Sequence, residues 1–374
     1  HCVDFVRSTD DDMLVFGGDI WDQGGFDLYV IRQLLDMKQR YPSRVHLVMG
    51  NRDINKMRLV AELGSSNNTM PDHPGIERFR GTKQLGDPEQ PNIELQDPVQ
   101  RLKWILRFTM GSPRAFEYRK QELEEEGKGE LVSEADVVDS YRTSCHPDGE
   151  MGRYLAASQL AVHLGDAFFV HGSLPLTKAD LAQGDPNGIW RDLRIVMPWL
   201  EPDAEDNVDS VADWIDSLND FARQELANWR RNPPSGKWSG VGGYHNFPND
   251  DMRSGARLIQ YGMGWLPDRT QTPTIVYASW GTDGMPRRFF PPSLRSDQRF
   301  AEATKAFFQA SGIRLICSGH QPQGDMPNAI RVPISGDKTC WILCCDTSYS
   351  GDVDWYDNDR KQPGREGSLS GRGK

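Results

Sequence analysis

Four residues of types that bind metal ions each follow a short apolar run, and each has a glycine beside it: Asp19, Asn51, His171 and His320. A glycine lets the backbone turn sharply next to a bound ion. One carboxylate, one amide oxygen and two imidazoles suit Mn²⁺, Fe, Zn²⁺ or Mg²⁺ better than metals that prefer thiolates. The second oxygen of Asp19 could bridge two ions, which would together hold a phosphate and lower the pKa of a bridging water.

Parallel strands would bring these residues together. Residues 14–53 contain two apolar runs, and between them Leu28, Ile31 and Leu34 recur at helical spacing until Pro42 stops the pattern. Two short strands around a helix form a β-α-β unit, whose parallel strands carry polar side chains at their carboxyl ends. A lone histidine next to an apolar run is more often a core residue than a ligand. All four residues, however, occupy the same place just after an apolar run, and this common position predicts a shared site.

The remaining elements follow from periodicity and turn residues. The dipeptide Gly165-Asp166 predicts a tight hairpin. Strands are predicted over residues 167–170, 274–277, 313–318 and 340–345. Helices are predicted over residues 52–63, 98–110, 113–126, 133–141, 208–229 and 297–310, and a further helix is expected within residues 1–8. We predict one domain over residues 1–356, with insertions at about 65–155 and 176–270, and a disordered polar tail at 357–374.

Composition limits the class of protein. The chain has 374 residues, 37% of them hydrophobic, and a net charge of -11, which disfavours a nucleic-acid partner. No apolar run has the roughly 18 residues that a membrane span needs. The six cysteines form no zinc-type pair, which indicates reduced thiols and an intracellular, cytoplasmic protein. The oligomeric state is not determined by these features.

The ordered motifs GD-x-x-D, GN-x-D, HG and GH resemble those of the calcineurin-like metallophosphoesterase superfamily, especially its serine/threonine protein phosphatase-type branch. The residues GNRDINKMRL and GHQPQGDMP are similar to those of a divergent subgroup found in protists, algae and their relatives. The resemblance implies an α/β (α+β) fold, in which a β-sandwich is flanked by helices. It also implies that Asp19 bridges two divalent ions, with Mn²⁺ expected first, and that Asn51, His171 and His320 are ligands.

Three departures from the family pattern bear on activity. The opening D-x-H motif is absent, and we expect that the chain begins just past it. The family's histidine after GN, which protonates the leaving group with help from the aspartate matching Asp22, is Arg52 here. Arginine does not donate a proton at neutral pH, but it can stabilise a phosphoryl group with Asp22 orienting it, or form an ion pair with Asp22 or Asp53. Gln23 stands where protein phosphatases carry a phosphate-binding arginine.

Two functions follow. The first is a metal-dependent phosphoesterase that hydrolyses phosphomonoesters, either of a phosphoprotein or of a small phosphate ester. In it, Arg52 and Tyr349 would contact the substrate, and Tyr349 is equally well explained as a turn residue. The alternative is a catalytically impaired, phosphatase-like binding or scaffold protein with a single metal site. A nuclease is disfavoured because the chain is acidic and has no basic stripe.

Overall fold

The computed structural model describes residues 4–5, 11–22, 24–63, 97–127, 131–174, 210–233, 255–264, 274–278, 280, 305, 307–320, 327–336 and 338–346. Gln23, Tyr349, the predicted loop at residues 65–96 and the tail at 357–374 lie outside these residues. In the predicted helix 297–310, residues 305 and 307–310 are described, and they are helical.

The predicted β-α-β unit is confirmed. Strand β1 (Leu14–Phe16) and strand β2 (Val45–Val48) flank helix α1 (Asp27–Arg40). The two strands are parallel, with Leu14 opposite Val45. Helix α1 buries Leu28, Ile31 and Leu34, which are the residues whose spacing predicted it.

A helical region follows and leads to the third strand of the first sheet. This sheet has the order β1-β2-β3, and β3 (Ser158–Gln159) pairs parallel to β2. The elements between β2 and β3 are α2 (Asn51–Asn55), a 3₁₀ turn (Lys56–Arg58), α3 (Leu59–Glu62), α4 (Pro98–Trp104), a π turn (Ile105–Thr109), α5 (Ala115–Glu126), α6 (Glu134–Ser144) and α7 (Glu150–Ala157). The predicted helices of this region are therefore confirmed, and α7 was not predicted.

The second sheet has five strands in the order β4-β5-β6-β8-β7. The predicted hairpin joins its first two strands, which are antiparallel, and Gly165 occupies the turn with φ +62°. The strands are β4 (Ala161–Leu164), β5 (Ala167–Val170), β6 (Leu315–Ser318), β7 (Asn328–Ser335) and β8 (Lys338–Cys344); helices α8 (Val211–Arg231) and α9 (Ala256–Gly262) lie between β5 and β6 in the chain. Two sheets with flanking helices confirm the expected α/β fold class.

Two local predictions are wrong. Residues 274–277 form a turn instead of a strand, because the carbonyl of Thr274 accepts hydrogen bonds from the N–H groups of Tyr277 and Ala278 at 3.1 and 3.0 Å. Asp4 and Phe5 lie in no helix. Tertiary contacts fix them instead, since the Asp4 carboxylate accepts a 2.8 Å hydrogen bond from the Tyr41 hydroxyl. The hairpin partner of β8, strand β7, was also not predicted.

The five cysteines that the structure describes are all free thiols, in agreement with the prediction: Cys145, Cys317, Cys340, Cys344 and Cys345. Among the helices in the described part of the chain, none is both long and apolar enough to cross a bilayer.

A buried ion-pair cluster attaches the helical region to the β-α-β unit. The Arg119 guanidinium lies 2.8 Å from the Asp27 carboxylate and 3.5 Å from that of Glu122. Glu122 in turn accepts hydrogen bonds from the first free N–H groups of α1, those of Leu28 and Tyr29. The same guanidinium lies 4.6 Å from the ring centroid of Trp21, in the turn that carries Asp19. Helix α5 is therefore connected to the candidate site through Arg119.

We expect Arg119→Met to lower the free energy of unfolding by about 3 kcal/mol, because it leaves the buried Glu122 carboxylate and the partly buried Asp27 carboxylate without their cation. Urea denaturation followed by circular dichroism measures this. The matched control is Arg223→Met, since Arg223 pairs with Asp220 on the surface with a side chain 74% exposed; its effect should stay within about 0.5 kcal/mol. Equal losses in the two variants would contradict this role of Arg119.

Candidate metal centre

Two turns meet at the carboxyl ends of β1 and β2. A Cβ atom on Gly18 would lie 2.5 Å from the backbone nitrogen of Gly50, and one on Gly50 would lie 2.1 Å from a carboxylate oxygen of Asp19. Gly18 also has φ +89°, which side chains with a Cβ rarely adopt. Glycine has no side chain at either position, so the two turns approach closely enough for Asp19 and Asn51 to share one site.

The buried carboxylate of Asp53 holds these turns together. Its oxygens accept hydrogen bonds from the N–H groups of Asp19 at 2.9 Å, Ile20 at 3.0 Å and Gly50 at 2.9 Å. Burial, the largest cause, and the negative charge of Asp19 together raise the pKa of Asp53 to about 7, against the opposing hydrogen bond from Gly50. The sequence allows an ion pair between Asp53 and Arg52, but the Asp53 carboxylate binds backbone N–H groups of the site instead.

All four predicted ligands converge. Nε2 of His171 lies 3.1 Å from Oδ2 of Asp19 and 3.2 Å from Oδ1 of Asn51. Nδ1 of His320 lies 3.0 Å from the same Asn51 oxygen. The ligand atoms of Asp19, His171 and His320 all lie within 4.8 Å of one another. Strand ends of both sheets therefore deliver a carboxylate oxygen, an amide oxygen and two imidazole nitrogens to one point.

The hydrogen bonding of His171 fits a metal ligand. Its Nδ1 lies 2.8 Å from the carbonyl oxygen of Gly17. A proton on Nδ1 would donate to that carbonyl and leave the Nε2 lone pair directed at Asp19 and Asn51, as in most histidines that bind metals. With one carboxylate, one amide and two imidazoles, the donor set fits a divalent ion of the Mn²⁺, Fe, Zn²⁺ or Mg²⁺ group.

Without an ion, the same groups form a buried ion pair. Burial alone would lower the pKa of His171, but the Asp19 carboxylate outweighs it and raises that pKa to about 9. Burial likewise opposes ionisation of Asp19, yet His171 and His320 hold the pKa of Asp19 well below its usual range. The site thus favours a positive charge next to Asp19, whether a proton on His171 or a metal ion supplies it.

Two of the predicted metal ligands, Asp19 and His320, have strained backbones. Asp19 has φ +54° and His320 has φ +71°, in the left-handed region that residues other than glycine seldom occupy. Such conformations cost on the order of 1–3 kcal/mol each and persist where the surrounding structure enforces them. Here Asp53 holds the backbone of Asp19, and the N–H of Gly319 donates to the carbonyl of His171 at 2.8 Å.

Arg52 lies at the edge of the site, where it contacts Asp19, Asp22 and Met110. Its backbone N–H donates to Oδ1 of Asp19 at 2.8 Å, and its Nε lies 3.4 Å from the Asp22 carboxylate. The guanidinium also donates to the carbonyl of Met110, at the end of the π turn. Ser112 donates to the same Asp22 carboxylate at 3.1 Å. The predicted Arg52–Asp22 pair thus exists, and it joins the site to the helical region.

A cavity of about 470 Å³ opens beside the ligands, and its wall includes Asp19, Asp22, His171, His320 and a carboxylate that was not predicted, that of Asp346. Asp346 follows β8 at the end of the second sheet, as the four predicted ligands follow their strands. The same signal, a ligand-type side chain directly after a strand, identifies Asp346 in the sequence. Tyr349, in the residues that follow, lies outside the described part of the chain, so its predicted substrate contact stays a prediction.

Comparison with known proteins identifies one sequence family. Residues 1–216 match the family described as calcineurin-like phosphoesterase. No curated protein matches the chain. Among solved structures, a cold-active protein-tyrosine phosphatase of a psychrophile, Shewanella sp., aligns at 13% identity over 88% of this chain and 59% of that chain, with a TM-score of 0.27. This chain thus spans less than two thirds of that protein, and so weak a similarity carries no argument.

We expect His171→Ala and His320→Ala each to weaken Mn²⁺ binding by at least about 100-fold, because each removes an imidazole from the four-ligand set. Isothermal titration calorimetry and metal analysis of the dialysed proteins measure this. His163→Ala is the control, because His163 lies in the edge strand β4 and faces Phe168 across the hairpin. Unchanged binding in both site variants would exclude these histidines as ligands.

The metal-free protein should lose stability as the pH rises from 6 to 9. His171 has a folded pKa of about 9 against an ordinary 6.5, so its stabilisation is complete below pH 6.5 and disappears as the pH rises through 9. Asp53, with a folded pKa of about 7, loses its proton in the same direction. Thermal unfolding in chelator across this range measures the slope, and His171→Gln should reduce it. A melting temperature that rises with pH would contradict both assignments.

Proposed function

The chain belongs to the calcineurin-like phosphoesterase family, and from this we propose that it is a metal-dependent phosphoesterase that hydrolyses phosphomonoesters by attack of a metal-activated water. Its substrate would be a phosphoprotein or a small phosphate ester. The observation that supports this most strongly is the convergence of Asp19, Asn51, His171 and His320, with the ligand atoms of three of them within 4.8 Å of one another.

The proposed ligand atoms are Oδ2 of Asp19, Oδ1 of Asn51, Nε2 of His171 and Nδ1 of His320. A bound divalent ion, Mn²⁺ in this proposal, supplies Lewis acidity and lowers the pKa of a coordinated water. The protein keeps the ligands in place through Asp53, which fixes the Asp19 turn, and through the carbonyl of Gly17, which orients His171. The proposal includes a second ion, which Asp19 would hold together with the first. Oδ1 of Asp19 accepts the N–H of Arg52 and keeps another lone pair.

Arg52 and Asp22 would act on the phosphoryl group. The Arg52 side chain is 25% exposed, and its guanidinium is held by the Asp22 carboxylate and the Met110 carbonyl. A guanidinium held in this way stabilises negative charge as the ester bond breaks, without having to reorganise. Because arginine stays protonated, it does not transfer a proton to the leaving group. The proposal therefore includes a preference for esters whose leaving groups are stable as anions.

The surroundings of the site support a cationic cofactor. Asp19, Asp22, Asp27 and Asp346 line the cavity, and this concentration of carboxylates attracts cations and repels a phosphate until a metal ion balances the charge. The free cysteines support an intracellular, cytoplasmic location, because reduced thiols are usual there.

The alternative is a phosphatase-like binding protein with a single metal site. The contacts of Arg52 favour it. This residue stands where the family has a proton donor, and its guanidinium is bound to the Asp22 carboxylate and to the carbonyl of Met110. Tight binding of one ion per chain, together with no turnover of any phosphomonoester tested, would favour this alternative.

Hydrolysis of a series of aryl phosphates with graded leaving-group pKa tests the proposal. We expect turnover with Mn²⁺ and none after chelation, and kcat/KM should fall steeply as the leaving-group pKa rises because the leaving group departs unprotonated. Asn51→Ala should lower kcat/KM by at least about 100-fold. Arg52→Ala should lower it more for poor leaving groups than for p-nitrophenyl phosphate.

Arg223→Ala, on the exposed face of α8, is the control and should retain full activity. Turnover that survives chelation would exclude the metal mechanism, and a flat dependence on leaving-group pKa would show that a proton donor exists. If Arg52→Ala lowers the melting temperature but leaves kcat/KM and phosphate affinity unchanged, Arg52 forms only a structural ion pair.

A further inference from the structure

The turn at residues 274–278 brings an aromatic ring onto a proposed ligand. The ring centroid of Tyr277 lies 5.3 Å from that of His320, with an angle of 49° between the planes. The His171 ring approaches the same imidazole edge-on, at 5.4 Å and 69°. His320 therefore contacts two rings, of which one belongs to another ligand and the other to a residue with no assigned role.

The backbone conformation of His320 does not by itself fix the rotation of its imidazole. The residue occupies the left-handed region at φ +71°, where a histidine is strained, and it is only partly buried. Its Nδ1 lies 3.0 Å from Oδ1 of Asn51, and that oxygen is itself a proposed ligand. A ring packed against the imidazole restricts its rotation and keeps the nitrogen directed at the site, a role that hydrogen-bonding partners play for most metal-binding histidines.

The turn that carries Tyr277 is anchored beside the other histidine. The N–H of Gly172, the residue after His171, donates to the carbonyl of Ile275 at 2.7 Å. A Cβ atom at Gly172 would lie 2.6 Å from the carbonyl oxygen of Ala278, so the turn packs directly on this glycine. Ile275 and Val276 are fully buried. The position of Tyr277 is therefore fixed relative to the end of β5, from which His171 extends.

We propose that Tyr277 is a positioning residue of the metal centre, whose ring holds the imidazole of His320 in its ligand orientation. This inference rests on the proposed function to the extent that His320 binds an ion. The aromatic ring supplies the contact, so phenylalanine should preserve the role of Tyr277, whereas an aliphatic side chain should not. The turn is closed by two hydrogen bonds to the carbonyl of Thr274, and it brings Tyr277 next to His320 although the composition of the segment fits a strand.

The test compares metal binding by the full chain and its variants, with Mn²⁺ in calorimetry and Co²⁺ in absorption spectroscopy. We expect Tyr277→Leu to weaken Mn²⁺ binding by about 10-fold, within the range measured for partners of metal-binding histidines. The visible spectrum of the Co²⁺ protein should also change, because the imidazole moves relative to the ion. Tyr277→Phe should retain both the affinity, within about twofold, and the spectrum.

Tyr29→Leu is the control for loss of a tyrosine ring, since Tyr29 is 44% exposed on α1, and it should not alter either measurement. If Tyr277→Leu does not fold, Tyr277→Met provides a second non-aromatic variant. Wild-type affinity and spectrum in a folded non-aromatic variant would overturn the inference while leaving the phosphoesterase proposal intact. A wild-type chain that binds neither Mn²⁺ nor Co²⁺ would overturn both the inference and the phosphoesterase proposal. Metal binding without turnover of phosphate esters would overturn only the phosphoesterase proposal.

Discussion

The candidate metal centre depends on one buried carboxylate, that of Asp53. Asp53 accepts hydrogen bonds from backbone N–H groups of two turns that belong to different strands, and these bonds fix Asp19 and Gly50 relative to each other. Two glycines make the approach sterically possible. Asp53 makes it favourable, together with the bond from the Arg52 N–H to Asp19, because buried N–H groups without an acceptor are costly. Without this anchor, three backbone N–H groups would lose their acceptor, and the strained backbone of Asp19 would lose the contact that holds it.

The other half of the site comes from the second sheet and is held differently. There the strand ends of β5 and β6 lie side by side, and the N–H of Gly319 donates to the carbonyl of His171. The imidazoles are oriented by the carbonyl of Gly17 and by packing of aromatic rings. The two sheets thus contribute to one site through two kinds of interaction. In the first sheet, the Asp53 carboxylate binds backbone N–H groups. At the second sheet, a hydrogen bond and ring packing orient the imidazoles of His171 and His320.

The helical region joins this site through charged side chains rather than through apolar packing alone. Arg52 connects Asp22 to the end of the π turn, and Arg119 connects α5 to the residues before and within α1. Both arginines lie close to the turn that carries Asp19. Changes in the helical region would therefore reach the site through the placement of two guanidinium groups.

The sequence by itself determined the β-α-β unit, the hairpin, most helices and the residues that converge at the strand ends, because each depends on local periodicity, turn chemistry or a residue beside glycine. Tertiary structure decided the rest. The contact of Arg52 with Met110, the anchoring role of Asp53 and the short strand β3 depend on residues distant in sequence. The clearest case is the turn at residues 274–278. Its β-branched residues fit a strand, but the N–H of Gly172 donates to the carbonyl of Ile275 and the turn packs on this glycine, and no local pattern carries that information.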